Sequence, residues 1–272
     1  MTLAGAGPDR NAIAVDSLED ARIAPFRNVR DRDLRREAEG LFVVEGEVPL
    51  RVLLGLRRGE EQGASPPVGL APVLATRSPG IPLYVAPQPL LEAIVGFPLH
   101  RGVLALAERG AAARHDALLS RARLVVAICG VTNHDNVGGL FRNAAAFGAD
   151  AVLLDGASCD PLYRKAVRVS VGASIVVPYA RVADEAQLVD ALGAAGHTVL
   201  ALSPRGELAI GRDPPPPGPV AVLCGAEGPG LAAATLRRCT TARIPMRPGW
   251  DSLNVAVAGG IALAWLATVS RG

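Results

Sequence analysis

Residues 224–231 read Cys-Gly-Ala-Glu-Gly-Pro-Gly-Leu, and residues 244–255 read Ile-Pro-Met-Arg-Pro-Gly-Trp-Asp-Ser-Leu-Asn-Val. Each stretch starts where a short apolar run, 220–223 or 242–244, comes to its end. Glycine has no Cβ, so the backbone can bend sharply in these stretches and bring its N–H and C=O groups close to a ligand. Open α/β sheets bind ligands at the carboxyl ends of their parallel strands. The two stretches therefore predict a ligand site at that edge of a parallel sheet.

The second half of the chain alternates between apolar runs of strand length and helix-like segments. Strands are predicted at 124–129, 151–154, 174–177, 198–202, 220–223 and 242–244. Helices are predicted near 137–147, 184–195, 231–238 and 253–268. This alternation is typical of a parallel sheet that is covered by helices.

The first half predicts a smaller α/β module. Its short apolar runs and turn signals predict helices at 48–56 and 90–95 and strands at 72–76 and 83–86. We therefore divide the chain into a flexible arm over 1–20, a small α/β domain over 21–107, a connector over 108–123 and a parallel-sheet domain over 124–272.

A third stretch lies upstream of the two glycine turns. Residues 136–150 read Asn-Val-Gly-Gly-Leu-Phe-Arg-Asn-Ala-Ala-Ala-Phe-Gly-Ala-Asp. Followed in order by residues 225–231, by Ile-Pro-Met at 244–246 and by Ser-Leu-Asn at 252–254, this stretch resembles the SpoU (TrmH) family of RNA 2′-O-ribose methyltransferases. A weaker similarity covers residues 39–47, which resemble the small substrate-binding domain that many of these enzymes carry.

The resemblance implies a fold, a cofactor, an RNA substrate, a homodimer and a cytoplasmic location. Proteins of this family belong to the SPOUT superfamily, in which the C-terminal segment passes through an earlier loop and forms a trefoil knot. Ordinary rules of topology would instead predict an unknotted sheet. The family uses S-adenosylmethionine, which is bound at the knot, and works as a cytoplasmic homodimer on ribosomal or transfer RNA. A second interpretation is an RNA-binding or ribosome-associated module of the same fold without catalytic activity.

The resemblance also assigns the site residues. Those matching the family's active site are Asn136, Arg142, Glu227, Ser252 and Asn254. The resemblance also implies that the cofactor pocket is lined by backbone groups around Leu223, Gly225, Ile244, Met246 and Leu253, with Ile244 and Leu253 packing against the adenine. Read from the residues alone, Glu227 could equally stabilise its own loop, and Ser252 or Asn254 could simply cap the helix that follows.

Arg142 is the residue that the resemblance links to activation of the ribose 2′-hydroxyl. The helical period places it nearly opposite the apolar stripe that includes Leu140 and Ala144, where a plain solvent-facing arginine is the alternative. Deprotonating a guanidinium at neutral pH costs roughly 7 kcal/mol. We therefore favour a charged Arg142 that binds a phosphate and stabilises a developing alkoxide over an arginine that acts as a base.

The formal net charge of +2 is only weakly basic, so RNA would have to meet a local patch of the surface. The predicted RNA contacts are Arg27, Arg30 and Arg35 in the first half and Arg164 and Arg168 in the second. The alternative for both groups is a solvated face of a helix.

Other classes of protein are disfavoured. The four cysteines and four histidines are scattered, which predicts reduced thiols and no metal site. Residues 252–270 carry no charge, but they are rich in Ala and Gly, which predicts a buried helix, partly covered by a second subunit, rather than a membrane span. The N-terminus shows no charged segment followed by an apolar one, which favours the cytoplasm over secretion.

Overall fold

The computed structural model describes residues 12–27, 29, 40–55, 70–74, 82–99, 103–250 and 252–269. The chain divides into two compact units. The first consists of Met1–Gly110 and Leu162–Arg168, and the second of Ala111–Pro161 and Val169–Gly272.

The first unit contains a five-stranded mixed sheet in the order β1-β4-β3-β5-β2. Its strands are β1 (Ala12–Ala14), β2 (Leu41–Glu45), β3 (Leu70–Leu74), β4 (Leu83–Val85) and β5 (Leu104–Glu108). A 3-10 helix (Ala21–Phe26) and the helices α1 (Glu47–Leu53) and α2 (Gln88–Val95) accompany them. Apolar side chains from the 3-10 helix, α2 and β5 form one core, which includes Phe26, Ile94 and Leu104.

Part of the predicted flexible arm is ordered. Residues 1–11 lie outside the described part, but Ala12–Ala14 pair with β4 as a parallel strand, and Val15 is buried. The strand has three residues, which is too short for an alternating pattern to reveal it in the sequence. Of the predicted strand at 72–76, residues 75 and 76 lie outside the described part.

The second unit contains a seven-stranded sheet in the order β10-β12-β9-β11-β6-β7-β8, with every pairing parallel. Its strands are β6 (Leu124–Ile128), β7 (Ala151–Leu154), β8 (Tyr179–Arg181), β9 (Thr198–Leu202), β10 (Leu208–Ala209), β11 (Val220–Cys224) and β12 (Thr240–Arg243). The helices of this part of the chain are α3 (His115–Leu119), α4 (His134–Phe147), α5 (Arg164–Val169), α6 (Ala173–Val176), α7 (Glu185–Ala194), α8 (Ala233–Leu236) and α9 (Val255–Val269).

Apolar cores cover both faces of this sheet, as expected for a parallel sheet. One core joins alternate residues of the central strands, such as Val126 and Val222, to α4 and α9. The other joins their neighbours, such as Val125 and Leu223, to α7. The predicted α/β class and parallel sheet are therefore confirmed, whereas the trefoil knot stays a prediction.

Several predicted elements need correction. Residues 174–177 were expected to be a strand, but Ala173–Val176 form the short helix α6, and the strand β8 follows at Tyr179–Arg181. Gly172, with φ of 85°, starts this turn, and a four-residue apolar run does not distinguish a buried helix from a strand. The predicted connector contains α3, and the predicted helix at 231–238 is reduced to Ala233–Leu236.

The uncharged C-terminal helix α9 packs closely along α4. A Cβ added to Gly259 would lie 2.6 Å from Leu140 Cδ2, and one added to Gly260 would lie 2.9 Å from Asn143 Nδ2. The Asn143 side chain also donates to the Ala256 carbonyl at 2.6 Å. The small residues of α9 therefore serve a close helix contact. Among the described helices, none combines the length and apolar character that crossing a bilayer requires.

Candidate active site

A pocket of about 520 Å³ lies where β9, β11 and β12 end, within the second unit. Three segments after these strands and the start of α9 contribute its walls. The lining residues include Leu202, Ser203 and Pro204 at the end of β9, Cys224 to Leu231 at the end of β11, Ile244 and Met246 after β12, and Ser252, Leu253, Asn254, Val255 and Ala258. Both its size and its position at the carboxyl ends of parallel strands are typical of a small-molecule site.

The glycine loop after β11 folds back on itself to form one wall. Gly230 N–H donates to the Ala226 carbonyl at 3.1 Å, while Gly228 and Gly230 adopt φ of 90° and 68°, which glycine reaches without strain. A Cβ on Gly225 would lie 2.8 Å from Leu231 Cγ. Any side chain at Gly225 would therefore displace the loop itself, so this residue shapes the pocket through its small size.

A chain of amide and carboxylate groups connects three of the predicted catalytic residues. Asn254 Nδ2 donates to Asn136 Oδ1 at 2.7 Å and to Glu227 Oε1 at 3.1 Å. These contacts use both hydrogens of the Asn254 amide. Three segments that are far apart in the sequence therefore meet at this point.

Asn254 also caps α9. Its Oδ1 accepts from the backbone N–H groups of Ala256 at 2.9 Å and Val257 at 3.3 Å. The capping role considered from the sequence is therefore correct, and it coexists with the contacts of the amide nitrogen. Capping fixes the side-chain rotamer, which holds the Nδ2 group toward Asn136 and Glu227.

Asn136 is buried, with 4% of its surface exposed. Its Oδ1 accepts from Asn254, while its Nδ2 has no hydrogen-bond partner among the described residues. Leaving a buried donor unpaired typically costs about 1–3 kcal/mol. Asn136 lies behind Asn254 and is not itself among the residues that line the pocket.

The loop that leads into α4 is anchored by a residue that sequence reasoning missed. Asp155, which follows β7 and is buried, accepts from Gly130 N–H at 3.0 Å and from Ser158 Oγ at 2.5 Å. Cys129 Sγ lies 3.3 Å from the same carboxylate. At the other end of the loop, Asn133 caps α4 by accepting from Asp135 N–H. The network therefore fixes the start of the helix that carries Asn136.

The cysteines are protonated at neutral pH. Burial, assisted by the Asp155 carboxylate, raises the pKa of Cys129 far above its ordinary value. Burial raises the pKa of Cys224, which lines the pocket, to about 12. A thiol in this state is a weak nucleophile, so the pocket does not offer a thiolate. All four cysteines are free.

Arg142 lies apart from the residues that line the pocket. It is exposed on α4, whose buried side carries Leu140 and Ala144, as the helical period predicted. Within the part of the chain that the structure describes, no hydrogen bond or ion pair engages its guanidinium. Hydrogen bonds join Asn136, Glu227 and Asn254, and the part played by Arg142 stays a prediction.

Four of the five predicted cofactor-binding residues line the pocket, namely Gly225, Ile244, Met246 and Leu253, as do the predicted catalytic residues Glu227, Ser252 and Asn254. Leu223 does not line it. Side chains alternate along a strand, and Leu223 faces the apolar core beside α7, whereas the next residue, Cys224, lies at the pocket. The end of β9, including Leu202, was missed because its only signal was a strand followed by Ser-Pro.

The predicted RNA contacts that the structure describes are engaged within the first unit. Arg27 Nη2 donates to the Asp20 carbonyl at 3.0 Å. Arg164 Nη1 lies 2.5 Å from the buried carboxylate of Glu45, and its guanidinium lies 4.2 Å from the centre of the Phe97 ring. These contacts favour structural roles for Arg27 and Arg164.

Arg168 is the more accessible of the two helical arginines. Its Nη1 lies 3.6 Å from Glu45 Oε2, and 36% of its side chain is exposed. Arg30 and Arg35 lie outside the described residues. An RNA contact by any of these arginines stays a prediction. Within the described ranges, no group of three or more His, Cys, Asp or Glu side chains is arranged to hold a metal ion.

Comparison of the sequence with known proteins gives a consistent family. The model of the SpoU rRNA methylase family matches residues 123–264. An uncharacterized tRNA/rRNA methyltransferase of Mycobacterium bovis is 38% identical over 263 residues, which cover 90% of this chain and 88% of that protein. The 23S rRNA (guanosine-2′-O-)-methyltransferase RlmB of Ralstonia nicotianae is 33% identical over 194 residues, which cover 70% of this chain and 78% of that protein.

Solved structures share the fold. An AdoMet-bound rRNA methyltransferase from Sinorhizobium meliloti superposes with a TM-score of 0.79 at 24% identity, covering 96% of this chain and 98% of that one. The SpoU methyltransferase AviRb from Streptomyces viridochromogenes, in complex with AdoMet, superposes with a TM-score of 0.74 at 23% identity. The superposition covers 93% of this chain and 99% of AviRb. Together with the family match over just over half of the chain, these relatives establish that this chain belongs to the SpoU rRNA methylase family.

Proposed function

We propose that this protein transfers a methyl group from S-adenosylmethionine to a ribose 2′-hydroxyl of ribosomal or transfer RNA. The observation that carries the proposal is the contact of Asn254 with both Asn136 and Glu227 at the wall of the pocket. In the reaction, the bond between the ribose oxygen and the methyl carbon forms as the bond between sulfur and that carbon breaks. The hydroxyl proton is released, and S-adenosylhomocysteine leaves.

The pocket suits such a cofactor. Ile244 and Leu253 offer apolar surface for a purine ring, and the glycine loop offers backbone groups for polar contacts. S-adenosylmethionine supplies an electrophilic methyl group on a positively charged sulfur. Glu227 is the acidic residue among the described lining residues, and its carboxylate places a negative charge at this wall.

Holding the acceptor is the main task of the protein in an in-line transfer. Asn254 fixes one oxygen of the Glu227 carboxylate, which leaves the other oxygen able to accept from a ribose hydroxyl. Asn136 fixes the Asn254 amide from behind by accepting its hydrogen bond at Oδ1. Ser252 adds a hydroxyl at the same wall. We propose that these groups orient the 2′-hydroxyl toward the methyl group.

Arg142 acts as a charged group in this proposal. Its guanidinium is exposed and unengaged by the described residues, so it is available to a phosphate of RNA, which a planar fork of donors binds well. A phosphate held in this way would fix the nucleotide, and the positive charge would stabilise a developing alkoxide. Loss of the proton by Arg142 is not required.

We further propose a homodimer that includes the outer face of α9. Val257 and Ile261 lie one turn apart on this helix and are 50% and 37% exposed. A second copy that covers them would remove this apolar surface from water.

The proposal is tested by incubating the protein with RNA and S-adenosylmethionine that carries a radioactive methyl group. The RNA is extracted from cells that lack the protein, so that the target nucleotide is unmethylated. We expect label in ribosomal or transfer RNA with the parent and at least a hundredfold less with Asn254→Asp. RNA that binds the parent protein but takes up no label would contradict the proposal and support the inactive RNA-binding module.

A further inference from the structure

Trp250 stands on a tight turn in the loop between β12 and α9. The backbone N–H of Trp250 donates to the Arg247 carbonyl at 3.3 Å, and Gly249 between them has φ of 91°. Pro248 precedes Gly249, and proline followed by a glycine with positive φ is the pattern of a type II turn. The ring of Pro248 fixes one torsion of the turn, so the backbone presents Trp250 in a restricted position.

The ring of Trp250 is mostly outside the apolar cores of the protein. It is 74% exposed, the largest value among the large apolar side chains of the described residues. The other tryptophan, Trp265, is partly buried against the core of the second unit. The face of the Trp250 ring is therefore accessible for stacking on a partner.

The position of the turn points to the kind of partner. Met246, just before the turn, and Ser252, two residues after Trp250, both line the pocket. The turn also carries Arg247, which is exposed. An aromatic face and a positive charge therefore stand beside the place where, on the proposed function, a ribose is methylated.

We propose that Trp250 stacks on an unpaired base of the substrate RNA, next to the target nucleotide, while Arg247 binds the adjoining phosphate. Stacking on aromatic side chains is how proteins hold bases that are not enclosed in a duplex. The substrate class is therefore an RNA loop, bulge or other single-stranded segment. This inference rests on the proposed function.

The chain is well suited to an optical test because it has two tryptophans. Trp265→Phe leaves Trp250 as the fluorescent reporter, and Trp250→Phe is the matched control that leaves Trp265. The probes are a single-stranded oligoadenylate of about 12 nucleotides, the same length of abasic ribose phosphate, and the corresponding duplex. Binding of each probe is measured separately by competition with a labelled oligonucleotide.

We expect oligoadenylate to quench Trp250, and the abasic oligomer and the duplex to leave it nearly unchanged, with little effect of any probe on Trp265. Trp250→Ala should bind the single strand about 5- to 150-fold more weakly, while Trp250→Phe retains most of the affinity. The affinity for S-adenosylmethionine should stay the same in both variants, since Trp250 does not line the pocket.

Two results would overturn the inference. One is oligoadenylate that binds without quenching Trp250, or equal quenching by the abasic oligomer. The other is a change in Trp250 emission that follows protein concentration without RNA, because a second copy of the chain would then cover the ring. If the parent methylates RNA and Trp250→Ala binds it as tightly, only the stacking role fails. If the parent methylates no RNA, the proposed function fails, whatever the fluorescence shows.

Discussion

Asn254→Asp should leave the protein folded and stop methyl transfer. Asn254 uses its oxygen to cap α9 and its nitrogen to contact Asn136 at 2.7 Å and Glu227 at 3.1 Å. Aspartate retains a capping oxygen but has no N–H donors, and it places a second carboxylate beside Glu227. Both hydrogen bonds of the nitrogen are therefore lost while the cap stays.

The size of each effect follows from these contacts. A lost cap costs about 0.5–2 kcal/mol, and for a chain of this size each kcal/mol lowers Tm by about 2–4 °C. Asn254→Ala should therefore melt a few degrees below the parent and Asn254→Ser closer to it, while Asn254→Asp keeps the cap but adds repulsion from the Glu227 carboxylate and should melt between the parent and a few degrees below it. All three should lose activity by a factor on the order of a hundred or more, as expected when a positioned donor at a reacting centre is removed.

The assay compares melting curves, S-adenosylmethionine affinity by calorimetry and initial rates of methyl transfer. Asn254→Ser separates the two features of the aspartate variant, because it keeps a capping oxygen without adding charge. If Asn254→Asp or Asn254→Ser, which both keep the cap, has an activity within about twofold of the parent, the contacts of Asn254 with Asn136 and Glu227 are irrelevant to the reaction.

Three other outcomes follow from the structure. Arg142→Ala should melt with the parent and bind the cofactor but lose activity about a hundredfold, and Arg142→Lys should stay impaired at every pH. Activity of the lysine variant that rises steeply toward alkaline pH would instead reveal a base. Glu45→Ala removes the buried carboxylate that pairs with the half-buried Arg164 and should destabilise the first unit by about 3 kcal/mol in chemical unfolding; an unchanged midpoint would contradict the structural role of the pair. Ile261→Glu should convert a dimer into a monomer in sedimentation, and a parent that is already monomeric at micromolar concentration would remove the proposed interface.

Local patterns were sufficient for the central strands of the parallel sheet and for the edge at which the pocket lies. Strands β6, β9 and β11 are buried apolar runs flanked by turns, so their position and type follow from the sequence, and the glycine turns mark the edge where the pocket lies. The region of α6 was misread because Ala173–Val176 is a short apolar run whose conformation is decided by packing. The Leu223 side chain faces the core beside α7, so a contact of Leu223 with a cofactor would use its backbone.

Contacts between distant segments were beyond local reasoning. Asn136 and Asn254 are 118 residues apart, and Arg164 and Glu45 are 119 residues apart. The side-chain partner of Glu227 is Asn254, 27 residues further along the chain. No pattern along the chain reports such pairings, because they depend on how the strands are ordered in the sheet. The same holds for Asp155, whose signal was only a carboxylate directly after a buried strand.

The position of the new methyl group on the nucleoside distinguishes transfer to the ribose from transfer to the base. RNA from cells that lack the protein is treated with the parent protein and S-adenosylmethionine bearing a deuterated methyl group, then digested to nucleosides and fragmented in a mass spectrometer. We expect one labelled nucleoside whose ribose fragment carries the heavy methyl and whose base fragment is unmodified. With Asn254→Asp this labelled nucleoside should not be detected. A heavy methyl on the base fragment would contradict transfer to the ribose 2′-hydroxyl.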